Sequence, residues 1–89
     1  MNEDLRIAIE YHIPTHMKPG LIAYIEKGQQ PGDFLRSVLE NDLFRSAMRA
    51  DPINLQSLSN YAMVLLHMPV DSWGDKETVN AWIRGDKDV

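Results

Sequence analysis

Few residues in this chain could do chemistry, and their patterns mostly give them structural roles. His12 and His16 are four apart, which on one helix would offer two imidazoles to a metal. Pro14 stands between them, and no carboxylate completes an HExxH pattern. Structural histidines are the commoner outcome, and a metal needs more ligands than these. There is no Cys, which excludes disulfides, thiolate nucleophiles and Cys-based metal sites. Ser37, Ser46, Ser57, Ser59 and Ser72 fall on expected helices or in a Pro-rich loop, none in a nucleophile elbow. Glu40 and Asp42 are spaced as exposed helix charges, with no cleft evident in the sequence that would make one of them an acid. The sequence predicts no enzyme, no cofactor and no metal.

Binding chemistry has better candidates. The run GQQPGDF (28–34) places two glycines ahead of a helix start, where backbone N–H groups can hold a phosphate. The same residues also suffice to connect two helices: a Gly C-cap, a Pro-Gly turn, and Asp33 as N-cap. Asp33 would repel an anion there, and Lys27 would offset it. Arg45 and Arg49, four apart beside Phe44, could hold a phosphate while the ring stacks on a base. Carboxylate pairing, or capping of the helix's negative end, is the commoner fate of such a pair. Trp73 and Trp82 flank a glycine, and in so small a chain at least one anchors the core or an interface. The Trp73-Gly74 pair is expected to fasten the last loop onto the helix over 52–68.

The elements that must position these residues are helical. The 89 residues are one domain at most, with a thin stability margin unless copies associate. The spacing predicts an all-α fold of three or four helices, with no hairpin signal and no repeat. Residues 1–13 read as a short helix or an extended arm. Helices are expected over 19–28, ended by Gly28, and over 33–50, carrying Phe34, Leu35, Val38, Leu39 and Leu43 on one stripe. A third helix, over 52–68, starts at Asp51-Pro52, and a short one over 75–84 is capped by Asp75. The tail 86–89 is charged and expected to fray. The expected core is Leu21, Ile25, Leu35, Val38, Leu39, Leu43, Leu58, Ala62, Leu65 and Trp82. Ile7, Ile9, Tyr11 and Phe44 are left spare for self-association.

Net charge is −4, from 9 basic and 13 acidic residues, which argues against duplex DNA or RNA as a partner. A helix-turn-helix reading also fails, because the would-be recognition helix over 52–68 has no Arg or Lys. One small anion needs only two or three positive groups, so the acidic balance leaves it possible. No apolar run reaches the roughly 20 residues of a membrane span. The sequence reads as a soluble, cytoplasmic protein with no membrane partner.

Three phrases in order, IPTHMKPGLIAYIEKG, PGDFLRSVLENDLFRSAMRAD and PVDSWGD, followed by VNAWI, resemble a family of small phage proteins. The resemblance covers about Ile13 to Ile83. The family is that of the phage anti-CBASS cyclic-oligonucleotide sponges. What it implies is a helical homo-oligomer, up to a hexamer, in the host cell cytoplasm. Such a protein binds cyclic di- or trinucleotide immune signals without cleaving them, in pockets shared between protomers. Carried onto this chain, the ligand-binding region is Lys27, Gly28, Pro31, Phe34, Asn41, Asp42 and Arg45. Asp42 stands where a basic residue suits the pattern, and Lys27 where an aromatic does. The alternative reading is a phage or prophage protein that inhibits a host protein through an apolar helix face. It would show as an exposed hydrophobic patch.

Overall fold

Capping residues set the element boundaries of the computed structural model, which describes residues 1–85. The tail 86–89 lies outside the described residues. Helix α1 (Glu3–His12) starts where the Asn2 side chain accepts the Leu5 N–H at 2.7 Å, with Glu3 and Asp4 at its positive end. The choice left open for residues 1–13 thus falls to a helix, and it buries Leu5, Ala8 and Ile9. A 3₁₀ turn, Thr15–Met17, leads into α2 (Lys18–Lys27). Gly28 ends α2 at φ 67°, and a Cβ there would sit 3.0 Å from the Trp82 carbonyl oxygen. Glycine is required twice over, by backbone conformation and by this close approach. Next come α3 (Asp33–Leu39), α4 (Leu43–Arg49), α5 (Pro52–Gln56) and α6 (Leu58–Leu65). A second 3₁₀ turn, Val70–Ser72, precedes α7 (Lys76–Arg84). The chain is all-α, with no strand among the described residues.

The single helix expected over 33–50 is two helices. Asn41 takes φ 63°, the left-handed conformation. The Asn41 N–H donates to the Val38 carbonyl and the Asp42 N–H to the Ser37 carbonyl, both at 3.0 Å, which closes α3 with a Schellman motif. Asp42 then caps α4 by accepting the Arg45 N–H at 3.0 Å. The two helices meet through small polar residues: the buried Ser46 hydroxyl donates to Ser37 Oγ at 3.1 Å. The helix expected over 52–68 also divides, at Ser57, into α5 and α6. Gly32 precedes α3 as its cap residue, and Asp33 is the first helical residue rather than the N-cap.

The core gathers Leu5 and Ile9 of α1, Leu21, Tyr24 and Ile25 of α2, Leu35 and Leu39 of α3, Val64 of α6 and Val79 and Trp82 of α7. Trp82 Nε1 donates to the Tyr24 carbonyl at 2.8 Å, and the Tyr24 hydroxyl donates to the Ser72 carbonyl at 2.6 Å. The Gly74 N–H donates to the Leu39 carbonyl at 2.8 Å. The anchors of the last loop are therefore on α2 and α3. Two expected core residues are outside: Leu43 is 72% exposed, and Ala62 is exposed too. An unbroken helix would have put Leu43 four residues beyond Leu39 on one stripe, and the reversal at Asn41 removes that phase. Leu58 and Leu65 are half-buried, and Ile9, expected spare, is buried. Among the described residues no helix is long and apolar enough to cross a membrane.

Candidate functional site

The seven expected ligand residues fall in separate places. Lys27 is exposed at the end of α2, Gly28 lies against the backbone of Trp82 and Ile83, and Pro31 is half-buried in the loop that follows. Phe34 is buried, its ring edge-on to Tyr61 with centroids 5.4 Å apart. That burial leaves no open face for a base to stack on. Asn41 and Asp42 form the α3–α4 corner and line a groove of about 150 Å³ floored by Val38, Leu58, Tyr61 and Leu65. Arg45 donates to Glu40 at 2.9 Å.

Glu40 is the electrostatic centre of that corner. It also accepts from Arg36 Nε at 2.7 Å, and Arg36 donates in turn to Asn80 of α7. Burial opposes the charge on Glu40, but the hydrogen bonds from Arg36 and Arg45 outweigh it and hold the carboxyl below its usual range. Arg45 is thus committed to a protein carboxylate. Arg49 is held more loosely, 3.7 Å from Asp33.

Arg49 belongs to a second hollow, of about 310 Å³, between the start of α2, the loop before α3, the end of α4 and the start of α5. Its walls carry His16, Asp33, Arg49, Asp51 and Asn54, over Met17, Phe34 and Leu35, with Gly20 and Gly32 at its edges. No atom crowds the space a Cβ would take at either glycine. Asp51 caps α5, accepting the Asn54 N–H at 2.7 Å, and meets His16 Nε2 at 3.0 Å. The backbone hydrogen bond from Asn54, and then the one from His16, hold the Asp51 carboxyl below its usual range. Asn54 is only 2% exposed, and its Oδ1 accepts the Tyr61 hydroxyl at 2.8 Å. Burial above all, and Asp51 secondarily, push the Tyr61 phenol up, so it stays a proton donor. Among the described residues no acceptor pairs with the Asn54 amide nitrogen, yet no buried side-chain nitrogen or oxygen lacks a partner. The residual exposure of Asn54 is therefore at its NH₂ group, on the cleft wall.

This cleft can offer a guanidinium, an imidazole and an amide donor, with two carboxylates as acceptors, over an apolar floor. Ser37, Ser46 and Ser72 are buried; Ser37 and Ser72 donate to the Phe34 and Pro69 carbonyls, and the Ser46 hydroxyl lies within hydrogen-bond distance of both Ser37 Oγ and the Asp42 carbonyl, so none of these is poised as a nucleophile. Among the described residues no group of three or more His, Cys, Asp or Glu could hold a metal ion. The sequence reading singled out Arg49 and Phe34 but missed Asn54 and the pairing of His16 with Asp51. Asn54 looks like an ordinary helix residue, and its only signal is Tyr61 seven residues on, two turns away. His16 and Asp51 are 35 residues apart, and nothing in the sequence connects them.

No known family matches the chain, and neither a curated protein nor a solved structure is detectably similar to it.

Proposed function

We propose that this protein is a non-catalytic binder that sequesters a cyclic di- or trinucleotide signal. The cleft between α2, α4 and α5 receives one nucleotide of the ligand. The observation that carries the reading is the free amide NH₂ of buried Asn54 in the same wall as Arg49. An amide donor that reaches the cleft surface, next to a loosely held guanidinium, suits a base edge next to a phosphate. The carboxylates of Asp33 and Asp51 supply acceptors for ring or exocyclic N–H groups. At about 310 Å³ the cleft is at the small end of ligand pockets, which span about 300–1,000 Å³. It suits one nucleotide, and a second copy of the chain supplies the second cleft and the second Arg49. An acidic protein holds an anion this way without adding to its own basic count.

Calorimetry with a panel of cyclic di- and trinucleotides tests the reading. Heat is expected from at least one, with the ligand recovered chemically unchanged. Arg49→Ala removes one charge-assisted contact of about 1.5–3 kcal/mol, roughly a ten- to hundredfold loss of affinity. A parallel Lys27→Ala, Arg45→Ala double variant probes the corner that the resemblance implies. A larger loss there than in Arg49→Ala would move the site to Asn41, Asp42 and Arg45. No heat from any ligand at high micromolar protein would end the sequestration reading.

A further inference from the structure

The polar groups of the Asn54 cleft are held in a set order of donor and acceptor, and that order selects a base. Asn54 is 2% exposed, and its Oδ1 accepts the Tyr61 hydroxyl at 2.8 Å. The amide therefore turns its NH₂ end to the cleft. Asp33 and Asp51 on the cleft walls favour that end, since an amide oxygen there would face their negative charge. Tyr61 is itself fixed: it is 3% exposed, and its ring meets that of Phe34 edge-on. Packing thus holds the donor in place.

Asp51 is the acceptor held beside it. One of its oxygens accepts the Asn54 backbone N–H at 2.7 Å, and the other lies 3.0 Å from His16 Nε2. The carboxylate is steadied at both oxygens, and each keeps a second lone pair for a ligand. Asp33 is held more loosely, its side chain 88% exposed and 3.7 Å from Arg49.

An amide donor next to a carboxylate matches one base edge best. Guanine presents an acceptor, O6, followed by two donor groups, N1–H and the 2-amino group. The amide donates to O6, and the two carboxylate oxygens accept one N–H each. Adenine, cytosine and uracil present a single donor group on the corresponding edge. The carboxylate then accepts from one group only, and a site built for the missing donor rejects them.

We propose that the cleft is selective for guanine nucleotides: Asn54 and Asp51 read the base, and Tyr61 is the positioning residue that keeps the amide donor facing it. The inference rests on the nucleotide-binding reading above and names the base that the cleft takes.

Calorimetry on the full chain with cyclic di-GMP, cyclic di-AMP, cyclic di-UMP and cyclic di-IMP tests it. The last differs from cyclic di-GMP only in lacking the 2-amino groups. Cyclic di-GMP is expected to bind tightest, and each of the others at least about fivefold more weakly. Asp51→Asn keeps a good helix cap but leaves one acceptor oxygen in place of two. It is expected to cut the preference for cyclic di-GMP over cyclic di-IMP to within about twofold. Tyr61→Phe frees the amide to turn, and is expected to narrow the preference for cyclic di-GMP over cyclic di-AMP. A merely structural role for Tyr61 would weaken all four ligands alike and overturn its assignment. If Tyr61→Phe fails to fold, Asp51→Asn and the inosine comparison decide. Equal affinity for cyclic di-GMP and cyclic di-AMP, or for cyclic di-GMP and cyclic di-IMP, overturns guanine selectivity and leaves sequestration standing. So does an Asp51→Asn variant that keeps the full preference. No heat from cyclic di-GMP also overturns it, and the wider ligand panel then decides whether sequestration itself survives.

Discussion

Glu40→Gln tests the electrostatic centre of the fold. The Glu40 side chain is 6% exposed and joins α3 to α4 through Arg45 and to α7 through Arg36 and Asn80. Glutamine keeps the volume but loses the charge. The Arg36 partner is also largely buried, at 17% exposure, so its charge-assisted hydrogen bond contributes about 1.5–3 kcal/mol. Arg45 is 40% exposed and has Asp42 as a second acceptor, so its contribution is screened to about 0–1 kcal/mol. A glutamine oxygen recovers one neutral hydrogen bond of about 1 kcal/mol. The net loss is about 0.5–3 kcal/mol, or roughly 2–24 °C in melting temperature for a domain of this size. Urea and thermal denaturation followed by circular dichroism at pH 7 measure it. The pH dependence supplies a second, sharper check. The folded carboxyl is held below its unfolded value of about 4.3, so its contribution is fully present above that value. It is lost as pH falls through the lower folded value, because the unfolded state then binds the proton first. The gap between wild type and Glu40→Gln should be constant from pH 6 to 8 and shrink below about pH 4. A variant within about 0.5 kcal/mol of wild type at pH 7, or a gap undiminished in acid, would refute the argument.

Two glycines should respond in opposite directions to alanine. Gly28→Ala forces a side chain into positive φ and against the Trp82 carbonyl, a loss of about 1–3 kcal/mol. Gly20→Ala, inside α2 with open space around it, should gain about 0.5–1 kcal/mol, and thermal melts that agree in sign for both would contradict this. Two leucines four apart should also part company. Leu39→Ala, at full burial, should lose about 2–5 kcal/mol. Leu43→Ala should lose no more than about 0.5 kcal/mol at a concentration low enough to keep copies apart, and equal urea midpoints would show that α3 and α4 are not broken at Asn41.

Local signals in the sequence sufficed for much of the architecture. Helical spacing and the missing hairpin chemistry specified an all-α chain, because both depend on neighbours a few residues apart. Gly28, Asp51-Pro52, Asp75 and Gly85 each marked a helix end through their own backbone or side-chain chemistry, and each stands at one. The Asn41-Asp42 pair carried a comparable signal, a residue tolerant of left-handed backbone followed by a strong N-cap. The continuous apolar stripe through 33–50 masks it.

Tertiary structure decided what periodicity could not. Helix α6 is apolar on nearly every side, so spacing alone could not tell that Val64 faces inward while Ala62 and Leu66 face out. The fate of each charge was equally hidden. Arg45 and Arg49 sit four apart and look alike, yet one is taken by Glu40 and the other opens onto a cleft. That cleft joins His16, Gly32, Arg49 and Asn54, which come from four segments of the chain. Sequence patterns report which residues share a helix face. Only packing reports which faces meet, because that choice rests on contacts between residues dozens of positions apart.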